Sequence, residues 1–240
     1  MKFSKSIFVV LVALSPAVLK AQTADELVNK HIDAIGGKDA ISKIKSMLIE
    51  SEVSVMGQSL TSKTTIVADK GFKNVTTFNG VDIIQCVTPN GGWGVNPMMG
   101  SSTPDTLNED QRKAIASAYE IGGPLYNYKE KGNSVELAGR ETVNGVNAYK
   151  LKVKDKNGVE ITYYLDPNTY YVIKQEAKLT MGGQEVTSTS SFSDFKKTDI
   201  GMTMPFTTTT SNMGLEFTIN HTKVEFNKDI DPKVFEMPKS

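Results

Sequence analysis

The residue types that most often carry out catalysis or bind metals are scarce in this sequence. Its 240 residues include one cysteine, Cys86, and two histidines, His31 and His221. One cysteine cannot form an intrachain disulfide, and structural zinc sites are built mainly from clustered Cys and His ligands. Catalysis, if present, would have to use carboxylates, lysines, tyrosines or hydroxyl groups.

The sequence contains no established catalytic or nucleotide-binding motif. We find no phosphate-binding loop, nucleophile elbow, zinc-protease helix or dinucleotide fingerprint. Glu50 and Glu52 share the solvent-facing side of a predicted strand, where the two carboxyl groups have similar surroundings and do not divide into an acid and a base. Cys86 alternates with Ile84 on another predicted strand, a pattern typical of a small buried hydrophobic residue. We therefore predict a protein that is not an enzyme and has no catalytic residues, metal site or cofactor.

The charge balance argues against nucleic acid as a partner. Lysine and arginine number 27, aspartate and glutamate number 27, and the formal net charge is zero. Binding to nucleic acid requires clustered basic residues to neutralise phosphates. The densest basic feature, Lys150, Lys152, Lys154 and Lys156, alternates with apolar residues and is interpreted as the solvated face of a strand. An acidic partner or an anionic membrane surface is the alternative for this row.

Residues 1–21 have the pattern of a secretory signal. Lys2 and Lys5 provide a positive start, residues 6–19 an apolar stretch, and Ala21 a small residue at the expected cleavage site. A membrane anchor is disfavoured because the apolar run is shorter than about 18 residues and is interrupted by Ser15-Pro16. We predict cleavage after residue 21 and a single domain over residues 22–240, located in the periplasm.

Two amphipathic helices are predicted in the remaining chain. Thr23 is a suitable N-cap for a helix whose apolar residues, from Leu27 to Ile35, follow helical spacing until Gly36-Gly37 ends it. A shorter helical piece follows around residues 38–44. A further helix is predicted over about residues 107–119, after an irregular stretch at residues 96–105.

Most of the other segments have the two-residue period of β-strands. The period changes at Ser46, and Asn79-Gly80 is a strong signal for a two-residue hairpin. The second half of the chain is almost entirely strand. We predict an α+β fold, mainly antiparallel β, with roughly ten strands in one sheet and two or three helices.

So few helices over so large a sheet leave either a thin core or a cavity. The segment from Trp93 to Tyr119, with Met98 and Met99 in a Gly-rich loop, is interpreted as an adaptable lid, because methionine fits varied apolar shapes. The alternative is that these residues only close the core at one end. The candidate ligand-binding residues of the cavity and lid are Val53, Ile83, Trp93, Met98, Met99, Leu151, Val153, Ile161, Tyr163 and Phe217.

The order of these elements resembles the LolA/LolB-like superfamily of outer-membrane lipoprotein-sorting proteins. The resemblance includes the amphipathic start at residues 24–37, the strand entry Gly91-Gly92-Trp93, the helical insertion and the hairpin segments at residues 149–151, 163–167 and 172–174. It implies an open half-barrel of antiparallel strands curled around helices. It also implies an apolar cavity that holds acyl chains.

These observations together predict a periplasmic binding protein that shelters an apolar ligand, such as lipid or the acyl chains of a lipoprotein. We expect a monomer, and a transient contact with a membrane protein is compatible with this role. The first alternative is a non-catalytic interaction module in which the half-barrel is filled by its own side chains. A hydrolase with an unrecognised arrangement of Ser, Tyr and carboxylates is the least favoured.

Overall fold

The computed structural model describes residues 22–116, 120–181 and 184–238. The predicted signal segment, residues 1–21, lies outside the described residues. No helix within the described ranges is long and apolar enough to cross a membrane.

Two helices begin the described chain: α1, Ala24–Ala34, and α2, Gly37–Ser42. A reciprocal capping box starts α1, because the Thr23 hydroxyl accepts from the Glu26 amide at 3.2 Å and the Glu26 carboxylate accepts from the Thr23 amide at 3.1 Å. Gly36 separates the helices with a φ of +126°, and a Cβ there would lie 2.9 Å from the Gly201 carbonyl oxygen. This close approach requires glycine.

Thirteen strands and one further helix follow. The further helix is α3, Glu109–Ala116, and residues 117–119 of the predicted helix lie outside the described part of the chain. The strands are β1 (Ser46–Val55), β2 (Gln58–Val67), β3 (Gly71–Phe78), β4 (Val81–Thr88), β5 (Gly91–Asn96), β6 (Ser101–Thr106), β7 (Ser134–Val143), β8 (Val146–Lys154), β9 (Glu160–Leu165), β10 (Val172–Met181), β11 (Gln184–Lys197), β12 (Thr203–Asn212) and β13 (Leu215–Phe226).

All thirteen strands form one antiparallel sheet in the order β6-β5-β4-β3-β2-β1-β13-β12-β11-β10-β9-β8-β7. The sheet consists of two meanders, β1 to β6 and β7 to β13, which join where β1 pairs with β13. β6 and β7 are the two edges, so the sheet stays open. The predicted open antiparallel half-barrel with few helices is confirmed.

The stretch predicted to be irregular contains an edge strand. Residues 97–99 form a 3-10 turn and residues 101–106 form β6, which pairs with β5 across a register shift near Gly94. Pro104 within the strand suppresses the usual strand signal, and an edge position tolerates a proline because one side of the strand needs no hydrogen-bond partner.

We call the face of the sheet that packs against α1 the inner face and the opposite one the outer face. The main core lies on the inner face, where Leu27, Val28 and Ile32 of α1 pack against Leu151 and Leu165. A second inner cluster, which includes the strand residues Met47, Ile49, Ile66, Phe72 and Met204, lies over the junction of the two meanders.

Candidate functional site

A cavity of about 490 Å³ lies on the inner face, beside the main core. This volume is within the range of about 300–1,000 Å³ that is usual for small-molecule sites. Strands from both meanders contribute to its wall. The apolar residues that line it include Ile35, Met47, Ile49, Ile66, Ile121, Leu125, Val172, Phe192, Phe195, Met202 and Met204.

The cavity wall depends on the pairing of β1 with β13. Met47 and Ile49 lie on β1, while Met204 lies on β12, one strand beyond β13. On β1 the lining residues Met47 and Ile49 occupy alternate positions, since successive side chains of a strand point to opposite faces. The segment 120–125 passes over these strands and closes another side of the cavity.

The ionisable side chains Glu120 and His31 at the cavity are either paired with opposite charges or hydrogen-bonded. The Glu120 carboxylate is paired with the ammonium groups of Lys131 at 3.1 Å and Lys156 at 3.8 Å. The His31 ring Nδ1 lies 2.8 Å from the Tyr170 carbonyl oxygen. Burial lowers the pKa of His31, although this hydrogen bond opposes the shift. The imidazole is therefore neutral near pH 7, and the cavity presents no uncompensated charge from these groups.

Of the ten residues predicted from the sequence, Tyr163 lines this cavity. Leu151, Val153 and Ile161 are buried in the neighbouring core beneath α1. They pack in the core beside the cavity and do not line it. Burial also raises the pKa of the Tyr163 phenol, which stays protonated.

Three other predicted residues lie on the inner face away from the cavity. Val53 follows Ile49 and Ser51 on the same side of β1, and Phe217 pairs with Val55 on β13. Ile83 lies on β4, opposite Thr76 of β3. All three are partly exposed. They extend an apolar surface beyond the cavity.

Trp93 lies on the outer face. It is opposite Cys86 of β4 and packs against Phe235. Val87, the next residue after Cys86, is opposite Phe72 and points to the inner face, so Cys86 and Trp93 point to the outer face. Its indole Nε1 donates to the Phe235 carbonyl oxygen at 2.9 Å. Burial raises the pKa of the Cys86 thiol to about 11, which keeps this group protonated. The Trp93 cluster thus holds the C-terminal segment against the sheet.

Met98 and Met99 lie in the 3-10 turn between β5 and β6, and Met99 is 84% exposed. Besides α1, the inner face is covered by elements that come later in the chain than this turn. α3 contacts both β4 and β10, its Ile115 packs against the second inner cluster, and Leu107 packs close to Gly92. Helix α3 and the segment 120–125 thus occupy the place expected of a lid.

Sequence reasoning missed the cavity residues contributed by β11 and β12. Phe192 and Phe195 lie in a Ser/Thr-rich strand that lacks clean alternation, and Asp194 between them has a φ of +52°. The alternation of Met47 and Ile49 on β1 was a usable signal. The pairing of β1 with β13, which brings these two groups of residues together, has no local signature in the sequence.

No protein-family model matches this sequence, and no curated protein matches it. Solved structures do. A LolA superfamily protein from Nitrosomonas europaea matches with a TM-score of 0.60 and 13% identity, over 90% of this chain and 98% of that chain. The fold is LolA-like.

Two further structures support this assignment of the LolA-like fold. A domain from Vibrio parahaemolyticus described as an outer membrane lipoprotein-sorting protein has a TM-score of 0.55 and 17% identity, over 88% of this chain and 97% of that chain. A DUF1329 family protein from Desulfovibrio piger has a TM-score of 0.55 and 14% identity, over 89% of this chain and 97% of that chain. At these identities the likeness establishes the fold alone.

Proposed function

We propose that this protein is a periplasmic binding protein that shelters an apolar ligand, such as a lipid or the acyl chains of a lipoprotein. The observation that carries the proposal is the 490 Å³ cavity, whose lining is mostly aliphatic and aromatic. Two of the solved structures with this fold bear the name LolA or a description as lipoprotein-sorting. The signal-like pattern of residues 1–21 supports the periplasmic location.

The energetics favour a cavity of this kind for moving an acyl chain through water. Each methylene exposed to water costs about 0.8 kcal/mol, so about fifteen methylenes cost roughly 12 kcal/mol. A preformed apolar pocket removes most of this cost without any covalent step. The side chains needed for this task are those that the cavity has.

A second candidate function is that of a protein-interaction module. Met56, in the β1–β2 turn, is 80% exposed, and Met213, in the β12–β13 turn, is 72% exposed. The two turns are neighbours because the end of β1 pairs with the start of β13. Exposed methionines suit adaptable protein contacts. Recovery of one stable protein partner from a pull-down, with no lipid in the purified protein, would favour this function.

The binding proposal is tested by filling the cavity without adding charge. Met202 is a partly buried residue of the cavity lining. We expect Met202→Trp to weaken uptake of the apolar dye 1-N-phenylnaphthylamine at least tenfold, measured by fluorescence titration. Overpacking also costs about 1–3 kcal/mol of stability, so circular dichroism must show a retained fold.

Met99→Trp is the matched control, since it makes the same substitution on an exposed turn outside the cavity. We expect wild-type dye uptake from this variant. Equal uptake by Met202→Trp and the wild type would contradict the assignment of the cavity as the binding site. A loss of uptake in Met99→Trp alone would point instead to the loop at residues 97–99.

A further inference from the structure

A row of hydrogen-bonding side chains crosses the inner face next to the cavity. In cross-strand register, His221 of β13 is opposite Ser51 of β1, Ser51 is opposite Ser62 of β2, and Ser62 is opposite Thr76 of β3. Asn74 and Thr64 are opposite one another in the adjoining row. We call these six residues the polar belt: Ser51, Ser62, Thr64, Asn74, Thr76 and His221.

The belt is hydrogen-bonded, with Ser51 and Ser62 buried and its other four residues partly exposed. The side-chain Nδ2 of Asn74 donates to the hydroxyls of Ser62 at 2.7 Å and Thr64 at 2.9 Å. The Ser51 hydroxyl lies 2.9 Å from the His221 ring Nδ1. Ser51 and Ser62 are each only 6% exposed. Burying polar groups is unfavourable in comparison with apolar side chains. A site for alkyl chains alone gives no reason for polar residues here.

Apolar residues flank the belt on both sides. Along the inner side of β1, Met47 and Ile49 precede Ser51, and Val53 and Val55 follow it. A step of two residues along a strand is about 7 Å, and Ile49 lines the cavity. The belt therefore lies within one such step of the cavity wall, where a ligand that leaves the cavity would meet it.

The hydrogen bonds of the belt involve uncharged groups. Among the described residues, no Lys, Arg, Asp or Glu side chain hydrogen-bonds to a belt member. Lys196 lies over the ring of Phe206, a neighbour of His221, but its ammonium is paired with Asp194 at 2.7 Å. Burial lowers the pKa of His221, which favours the neutral imidazole.

We propose that the polar belt binds the uncharged hydrogen-bonding group of an amphiphile, an ester, amide or hydroxyl group, while the alkyl chain of the same molecule occupies the cavity. This inference rests on the proposed function and names the class of ligand. Within the described residues, no hydrogen-bond partner of the His221 Nε2 is present, so this nitrogen can bond to such a group. A phosphate or carboxylate head group would lack a cation at the belt to replace its lost hydration.

The test measures displacement of 1-N-phenylnaphthylamine by two ligands with the same chain length. We expect uncharged 1-monopalmitoylglycerol to displace the dye from the wild type at a concentration at least tenfold lower than anionic hexadecyl phosphate. Asn74→Leu keeps a side chain of similar size but removes the hydrogen bonds. It should weaken binding of 1-monopalmitoylglycerol about tenfold, because a hydrogen bond contributes roughly this factor, and leave dye affinity unchanged.

Two further variants separate the belt from general effects on the fold. Ser62→Ala is a smaller change, and it should also weaken the binding of 1-monopalmitoylglycerol. Thr209→Val removes a hydrogen bond of similar type, 3.1 Å to Thr218, on the outer face of the sheet. It should bind both ligands like the wild type.

Several results would overturn the belt assignment. One is unchanged 1-monopalmitoylglycerol affinity in both Asn74→Leu and Ser62→Ala while the dye still binds. If hexadecyl phosphate displaced the dye from the wild type as well as 1-monopalmitoylglycerol does, the assignment of an uncharged ligand would be wrong. Release of palmitate from 1-monopalmitoylglycerol, lost in Ser51→Ala, would show a catalytic serine in place of a binding belt. If the wild type binds no dye and no lipid, the proposed function itself fails, and the belt assignment fails with it.

Discussion

His31 is both a residue of the cavity wall and a buried titratable group that affects the stability of the fold. Its ring is buried on α1, lines the cavity and bonds to the Tyr170 carbonyl. Burial holds its folded-state pKa below the ordinary value of 6.5, so the folded state binds fewer protons than the unfolded state as the pH falls. The stabilisation is fully present above the unfolded pKa and is lost as the pH falls through the folded pKa.

We therefore expect the free energy of unfolding to be lower at pH 5 than at pH 7.5, as measured by urea denaturation. His31→Gln cannot be protonated, so the difference between the two pH values should shrink in this variant. His221, whose pKa burial also lowers, contributes to the dependence that is left. An identical pH dependence in His31→Gln and the wild type would contradict this role for His31.

The sequence indicates which residues of one strand share a side. Tyr163 shares a side with Ile161 and Leu165, and the structure places it in the cavity lining. Trp93 has equally good alternation, but alternation does not indicate which of the two faces is inner. The contact with Phe235, far away in the sequence, places Trp93 on the outer face.

The helix α1 is the element whose start was clearest in the sequence. Its capping box satisfies two amides that would otherwise lack partners, and the same helix places His31 and Ile35 at the cavity. Thr23→Ala should lower the free energy of unfolding by about 1 kcal/mol, measured by urea denaturation. Dye uptake should stay unchanged, because the cap lies at the far end of the helix from Ile35.

A stability loss near zero would show that packing alone determines where α1 begins. Reduced dye uptake at full stability would instead show that the start of the helix sets the shape of the cavity. Thr23→Ser is the conservative control, because it keeps a hydroxyl at the cap.

The covering elements were harder to predict than α1. The loop with Met98 and Met99 had the expected composition of a lid, but the structure leaves these side chains exposed at the edge of the sheet. Residues 107–133 connect the two edge strands, β6 and β7, and this crossing brings α3 and the segment 120–125 over the inner face. A connection between opposite edges has to pass over one face of the sheet, and composition does not reveal this requirement.

At the scale of the whole molecule, the pairing of β1 with β13 explains both the cavity and the belt. The hairpins of each meander follow from local turn signals such as Asn79-Gly80, which the sequence showed. The junction between the meanders joins residues far apart in the chain, including Ser51 and His221. A prediction from hairpins alone therefore gives the strands and the open sheet but not the position of the site.

Native mass spectrometry of the protein, purified without added detergent from cells that export it, tests directly whether the cavity holds an amphiphile. We expect a species heavier than the polypeptide by one lipid or other amphiphile, released by organic extraction. This species should be strongly reduced in Met202→Trp and present at the wild-type level in Met99→Trp. A wild-type protein that carries no such molecule, and that takes up no added 1-monopalmitoylglycerol, would show that the cavity is not a binding site for an amphiphile.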